Sequence, residues 1–309
     1  MALTGITRPA HAQIRVLDMD KAVHHYGTIL GLIETGRDAE GRVYFKAWDE
    51  RDLFCLVLRQ ADTAGIDHFA FRVLDVATLD QFEIDLEKFG VPVQRIPAGE
   101  LLGTGERVRF TAPTGHVFDL FAEKEHLVDP ERLLNPSPWT NEAERGIAPV
   151  RMDHALLYGP DLEGNLELFT KVLGFRLSEA AYLEDGTTMA VMFLSCSNKC
   201  HDIAFGRFPE PGKLHHISYR IESWEKVLRA GDIMGMNHVP IDIGPTRHGI
   251  TRGCTIYAWD PSGNRFETFS GSYDPYPDWQ PIRWTIDDLG RGLDYPQQKL
   301  HETFLTVVT

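Results

Sequence analysis

Apolar and polar residues alternate through Ala10-His11-Ala12-Gln13-Ile14-Arg15-Val16, which predicts the first strand. Asp18 stands in an N-cap position ahead of a helical run that closes at Leu30-Gly31-Leu32, with Gly31 as its C-terminal stop. Two β-rich segments follow at residues 43–48 and 54–58. A further strand, Asp67-His68-Phe69-Ala70-Phe71-Arg72-Val73, precedes an amphipathic helix with Leu79, Phe82, Leu86 and Phe89 at helical spacing. A strand about residues 108–110, the turn Pro113-Thr114-Gly115 and a strand over 117–121 complete this half.

The pattern then repeats. Asp153-His154-Ala155-Leu156-Leu157-Tyr158 matches the first strand, and 161–175 with its LGF matches the helical run with its LGL. His154 follows His11 by 143 positions, whereas His216 follows His68, and Glu267 follows Asp119, by 148, so a five-residue insertion separates the matches. A repeat of this length signals duplicated modules. The expected class is α+β, with domains at 1–130 and 150–284 and a tail over 285–309. Residues 130–149, rich in Pro and polar groups, read as a linker, and the tail has helical character.

Composition narrows the function classes. The 309 residues are 43% hydrophobic and 25% charged, ordinary for a globular protein, with a net charge of −14. That charge argues against nucleic acid or anionic membrane as a partner. No apolar run is long enough to span a bilayer, and Cys55, Cys196, Cys200 and Cys254 show no CxxC spacing. A reduced, cytoplasmic protein is expected.

Candidate chemistry centres on residues 244–269, GPTRHGITRGCTIYAWDPSGNRFETF, where a DPSGN turn joins two β-rich runs. Glu267 lies among apolar neighbours in the returning strand, and a buried carboxylate is costly unless paired, hydrogen-bonded or metal-bound. The repeat supplies partners: His154, His216 and Glu267 in the second copy, His11, His68 and Asp119 in the first. Two histidines and a carboxylate on separate strands suit a facial metal site with open positions. Register selects His216 over His215, since strand neighbours face opposite ways.

The segments DHALLYG, HDIAF, LHHISY, GPTRHG and TIYAWDPSGNRFE resemble the signatures of type I extradiol ring-cleaving dioxygenases in the vicinal oxygen chelate superfamily, most of all the catechol 2,3-dioxygenases. The resemblance runs from VLDMDKAVHHY to the LTVVT ending. It implies two βαβββ modules per domain, Fe(II) (with Mn(II) as an option) on His154, His216 and Glu267, and a homotetramer. It implies catalytic and substrate-contacting roles for His201, His248 and Tyr257, and substrate-side positions for Phe193, Thr251 and Phe304. The implied reaction is cleavage of catechol, or an alkyl- or chloro-substituted catechol, by O2 to a 2-hydroxymuconic semialdehyde-type product in aromatic degradation.

Cys200 and Phe266 depart from the family pattern. In the first copy the positions matching His201, His248 and Tyr257 hold Leu53, Glu100 and Arg109, so no functional metal is expected there. His24, His25, His116 and His126 are read as non-catalytic. Two other classes compete: a metal-free protein that binds a small aromatic compound, and a Zn(II) or Ni(II) isomerase on the same fold.

Overall fold

The computed structural model describes residues 5–127, 134–139, 143–276 and 278–309. Its first half runs β1 (Ile6–Val16), α1 (Met19–His24), a π-helical turn (His25–Ile29), β2 (Ile33–Arg37), β3 (Val43–Lys46) and β4 (Leu56–Gln60). The same βαβββ unit recurs as β5 (Gly65–Val73), α2 (Val76–Phe89), β6 (Val93–Ile96), β7 (Arg107–Thr111) and β8 (Val117–Phe121). The eight strands form one sheet in the order β2-β3-β4-β1-β5-β8-β7-β6. Local chemistry sets the helix ends: Asp18 and Asp75 accept from the amides of Lys21 (3.1 Å) and Thr78 (2.8 Å). Gly31 and Gly90 then turn the chain at φ +87° and +94°.

The second half repeats the plan. It contains β9 (Arg151–Gly159), α3 (Leu162–Glu167), a second π-helical turn (Leu168–Val172), β10 (Arg176–Tyr182), β11 (Met189–Ser195) and β12 (Ile203–Arg207). Then come β13 (Lys213–Arg220), α4 (Trp224–Met236), β14 (Ile241–Arg247), β15 (Gly253–Trp259) and β16 (Arg265–Gly271). The architecture is the α+β, paired-module vicinal oxygen chelate fold. Beyond the repeat, β17 (Ile282–Thr285) pairs in parallel with β10 and makes this sheet nine-stranded. The short helices α5 (Leu289–Leu293) and α6 (Glu302–Thr306) follow, and the chain ends with Thr309 exchanging both backbone hydrogen bonds with Leu214.

Two details differ from the sequence pattern. Within the linker stretch, residues 130–133 and 140–142 lie outside the described residues. The end of that stretch is no mere spacer: Ile147 and Ala148 donate to the carbonyls of Ile29 and Leu30, closing the first π-helical turn. In β13, Leu214 pairs with Leu157 and His216 with Leu156, so His215 is one residue more than β9 can match. This bulge suspends the alternation that was expected to turn His215 away. Both rings are buried side by side, Nδ1 to Nδ1 at 2.7 Å. The first copy has the same bulge, with Asp67 as the extra residue between the Ile66–Ile14 and His68–Gln13 pairs.

His116 pins the halves together. Its Nε2 donates to the Lys213 carbonyl (3.0 Å) and its Nδ1 accepts from the Thr114 hydroxyl (2.9 Å), which in turn accepts from Asn165 (2.8 Å). Burial pushes its pKa down to about 4. The folded state thus holds the ring neutral while the unfolded chain takes a proton near pH 6.5. The resulting stability is complete above pH 6.5 and lost as the pH falls toward 4, by roughly 3 kcal/mol. Denaturant unfolding of wild type and His116→Gln at several pH values should therefore show a stability difference that shrinks on acidification.

Candidate metal centre

Sheet register brings the candidate ligands together. β9, β13 and β16 are neighbours, and Ser218 is paired with His154 on one side and Glu267 on the other. His154, Ser218 and Glu267 therefore form a row across three strands, and His216 lies two residues from Ser218 on the same face. His154 Nε2 is 3.1 Å and His216 Nε2 3.5 Å from Glu267 Oε2, and the two nitrogens are 3.4 Å apart. Donors around one first-row ion with bonds of about 2.0–2.2 Å must lie about this close. Among the described residues, this is the group of ligand-type side chains that converges closely enough to hold a metal.

The donor set fits a cation. Glu267 Oε1 accepts from Thr255 Oγ1 (2.6 Å), while the buried Oε2 has no aligned hydrogen-bond donor. Burial opposes ionisation of Glu267. The imidazoles of His154, His248 and His216 that face it outweigh this and hold the carboxyl well below the usual range. Asp153 accepts from His154 Nδ1 (2.8 Å), which leaves Nε2 with a free lone pair toward Glu267. Burial likewise disfavours charge on Asp153, but Lys199 and His154 keep it ionised.

The other sequence candidates surround one apolar cavity, lined by His154, His216 and Glu267 together with His201, His248, Tyr257, Phe193, Thr251 and Phe304. His201 lies just before β12, its ring 4.0 Å from that of His154 and edge-on to Phe193. Burial, and then the neighbouring His154, lower its pKa well below 6.5. Cys200 Sγ is 2.9 Å from His201 Nδ1, and burial pushes its thiol pKa up. Tyr257 stands directly opposite Glu267 in the β15–β16 pair. Its hydroxyl donates to His248 Nε2 (2.8 Å), while His248 Nδ1 donates to the Leu293 carbonyl at the end of α5.

Phe266, the other departure, faces away from the cavity and packs edge-on against His25 of the first half, at 4.9 Å. His24 is exposed, His116 pins the interface, and His126 Nε2 accepts from Arg72 (2.9 Å). None of them lines the cavity.

The first copy places comparable side chains differently. His68 Nε2 is 3.3 Å from His11 Nε2 and 3.6 Å from Asp119. However, Arg109 grips Asp119 through two hydrogen bonds (2.7 and 2.9 Å), with Arg107 at 3.3 Å. Lys124 reaches His11 Nδ1 at 3.0 Å, and burial lowers its pKa to about 7. Glu100 pairs with Arg42 and Arg107, and Leu53 sits in an apolar cluster with Tyr44 and Phe54.

Pattern reading missed Glu179. Buried on β10, it accepts from the Thr251 amide (2.8 Å), the Tyr273 hydroxyl (2.7 Å) and Trp284 Nε1 (2.7 Å). It thereby fastens the turn after His248, where Thr251 and Arg252 hold left-handed φ values of 56° and 58°. Its partners lie 72, 94 and 105 residues away, so no local spacing betrays it. A sequence signal did exist for Asp153, the acid in DHALLYG.

Comparison with known proteins agrees with this geometry. Residues 66–125 match the catechol 2,3-dioxygenase-like N-terminal domain, and residues 151–268 match the glyoxalase/bleomycin resistance protein/dioxygenase superfamily. Metapyrocatechase of Pseudomonas sp. (strain CF600) is 49% identical over 306 residues, covering 99% of each chain. This chain belongs to the extradiol dioxygenases. Among solved structures of this family, the 2,3-dioxygenase LapB of Pseudomonas sp. KL28 superposes with a TM-score of 0.91 at 59% identity, covering 93% of this chain and 99% of that one. Homoprotocatechuate 2,3-dioxygenase of Brevibacterium fuscum gives 0.87 at 25% identity, covering 99% and 93%. A relative at 32% identity, covering 93% of each chain, is a manganese-dependent 2,3-dihydroxybiphenyl 1,2-dioxygenase of Geobacillus genomosp. 3.

Proposed function

We propose that this protein cleaves catechol, or an alkyl- or chloro-substituted catechol, next to its vicinal hydroxyls with O2, giving a 2-hydroxymuconic semialdehyde-type product. The observation that carries the reading is the convergence of His154, His216 and Glu267 on an apolar cavity that His201, His248 and Tyr257 also line. In this proposal residues 150–284 are the catalytic domain, residues 1–130 a domain without a functional metal, and residues 285–309 the closing tail. Fe(II), with Mn(II) as substitute, is held by His154, His216 and Glu267. Bound there, the ion supplies Lewis acidity toward the catechol oxygens and an electron path to O2.

The chain's own groups do the rest. His201, kept neutral by burial, exchanges a proton with a substrate hydroxyl at Nε2, the nitrogen not facing Cys200. His248 and Tyr257, already hydrogen-bonded to each other, bind substrate oxygens as charge develops on them. Phe193 and Phe304 give the ring an apolar seat, and Thr251 borders it. The proposal includes a cytoplasmic location; no described helix is long and apolar enough to cross a membrane. A homotetramer completes the proposal, for which Met236 and Tyr276 offer exposed apolar surface.

Mixing Fe(II)-reconstituted protein with catechol in air tests the function. Oxygen uptake with a yellow ring-opened product is expected, and absence of both would overturn it. Glu179→Ala, which frees the His248–Thr251 turn, is expected to lower kcat/KM roughly 10–100-fold through misplacement alone. Metal content, measured in parallel, should stay at the wild-type level.

A further inference from the structure

His215, the extra residue of the β13 bulge, sits between the candidate ligand His216 and the C-terminal strap. Its Nε2 is 2.8 Å from the Phe304 carbonyl, and its Nδ1 is 2.7 Å from His216 Nδ1. The same carbonyl accepts from the Tyr158 hydroxyl (3.0 Å), so both of its lone pairs are engaged. The His215 ring also lies against the Phe304 ring, with centroids 4.3 Å apart. Arg265 also holds the strap, donating to the carbonyls of Thr303 (2.8 Å) and Val307 (3.0 Å).

Proton bookkeeping along this chain has one solution. A carbonyl only accepts, so His215 must carry a proton on Nε2. A neutral ring with its proton on Nε2 offers only a lone pair at its other nitrogen. Its Nδ1 is therefore the acceptor, and the proton between the two rings belongs to His216 Nδ1. That leaves His216 Nε2 with its lone pair directed at Glu267 Oε2, 3.5 Å away. Without the carbonyl, His215 could equally place its proton on Nδ1. His216 would then have to accept at Nδ1 and carry its proton on Nε2, the state that cannot ligate.

We propose that His215 is a positioning residue that couples docking of the C-terminal strap to metal affinity, by setting the ring tautomer of His216 from the Phe304 carbonyl. The coupling rests on the reading of His216 as a ligand. Because Phe304 also lines the cavity, one segment both walls the substrate space and readies the metal site. Linkage makes the effect reciprocal: metal loading tightens the strap by the factor that the strap tightens the metal.

Mn(II) titration of the full-length apoprotein, read by the EPR signal of free ion, measures the affinity. His215→Leu keeps the bulk but has neither donor nor acceptor, and its Kd is expected to rise about 10–100-fold, as for loss of an outer-sphere ligand partner. His215→Gln, whose amide can accept from His216 and donate to Phe304, should recover most of that loss. Hydrogen exchange of the 301–309 amides should slow on Mn(II) binding in wild type and respond far less in His215→Leu.

Thermal unfolding of the apoproteins separates a merely structural role, which would lower stability without moving the Kd. A wild-type Kd in folded His215→Leu, or a Gln variant no better than Leu, overturns the coupling. Glu267→Gln run alongside tests the underlying reading: if it binds Mn(II) like wild type, the ligand assignment itself is wrong.

Discussion

Replacing Glu267 by glutamine is expected to weaken metal binding by more than about 100-fold, beyond what loss of an outer partner does, and to abolish ring cleavage. The substitution is close to isosteric, and an amide oxygen can still accept from Thr255 Oγ1, so the sheet should not notice it. What disappears is the negative charge within 3.1 and 3.5 Å of the two histidine nitrogens. Oε2 is buried and lacks an aligned donor, as a carboxylate oxygen facing a cation would. Metal analysis after gel filtration, together with oxygen uptake on catechol, checks the outcome. Retained metal with full turnover would show that the carboxylate is not a ligand.

His201→Asn should give the opposite division: metal retained, turnover lost. His201 stands beside His154 in the cavity but outside the convergent group of His154, His216 and Glu267, so its removal leaves the metal donors untouched. Loss of a positioned acid–base group costs about 10²–10⁴-fold in rate, and kcat is expected to fall within that range. KM should change much less, because Phe193, Phe304, His248 and Tyr257 would still line the cavity proposed to seat the ring. A variant that lost its metal in parallel with its activity would instead make His201 a support for the ligand set.

How much of this could be read from the chain depends on what sets each feature. The duplicated plan was legible because strands such as β5 and β13, buried along nearly their whole length, carry matching histidine-bearing apolar runs. β2 and β6 were not, since both are short and border fewer buried neighbours, which leaves no apolar stripe to see. His154, His216 and Glu267 stood out because two copies of one motif constrain each other.

His215 was set aside by the rule of alternation, and the rule failed because a bulge depends on cross-strand register, invisible within one strand. Glu179 and the strap contacts escaped for a related reason. Their partners are tens of residues away, and several, among them Trp284 of β17 and Phe304 of α6, have no counterpart in the first copy to compare with.

Arg109 gives the first half a different kind of durability. A carboxylate neutralised by an arginine on the neighbouring strand keeps its counter-charge in any buffer, whereas one neutralised by a dissolved ion depends on supply. The eight-stranded sheet should hence persist through chelation or growth in metal-poor medium, and through His116, Thr114 and Asn165 it braces the second sheet while that site waits. Protein made before its ion arrives would then be a finished mould. Chelator-stripped stock could be recharged by adding metal to the folded chain, with no cycle of unfolding.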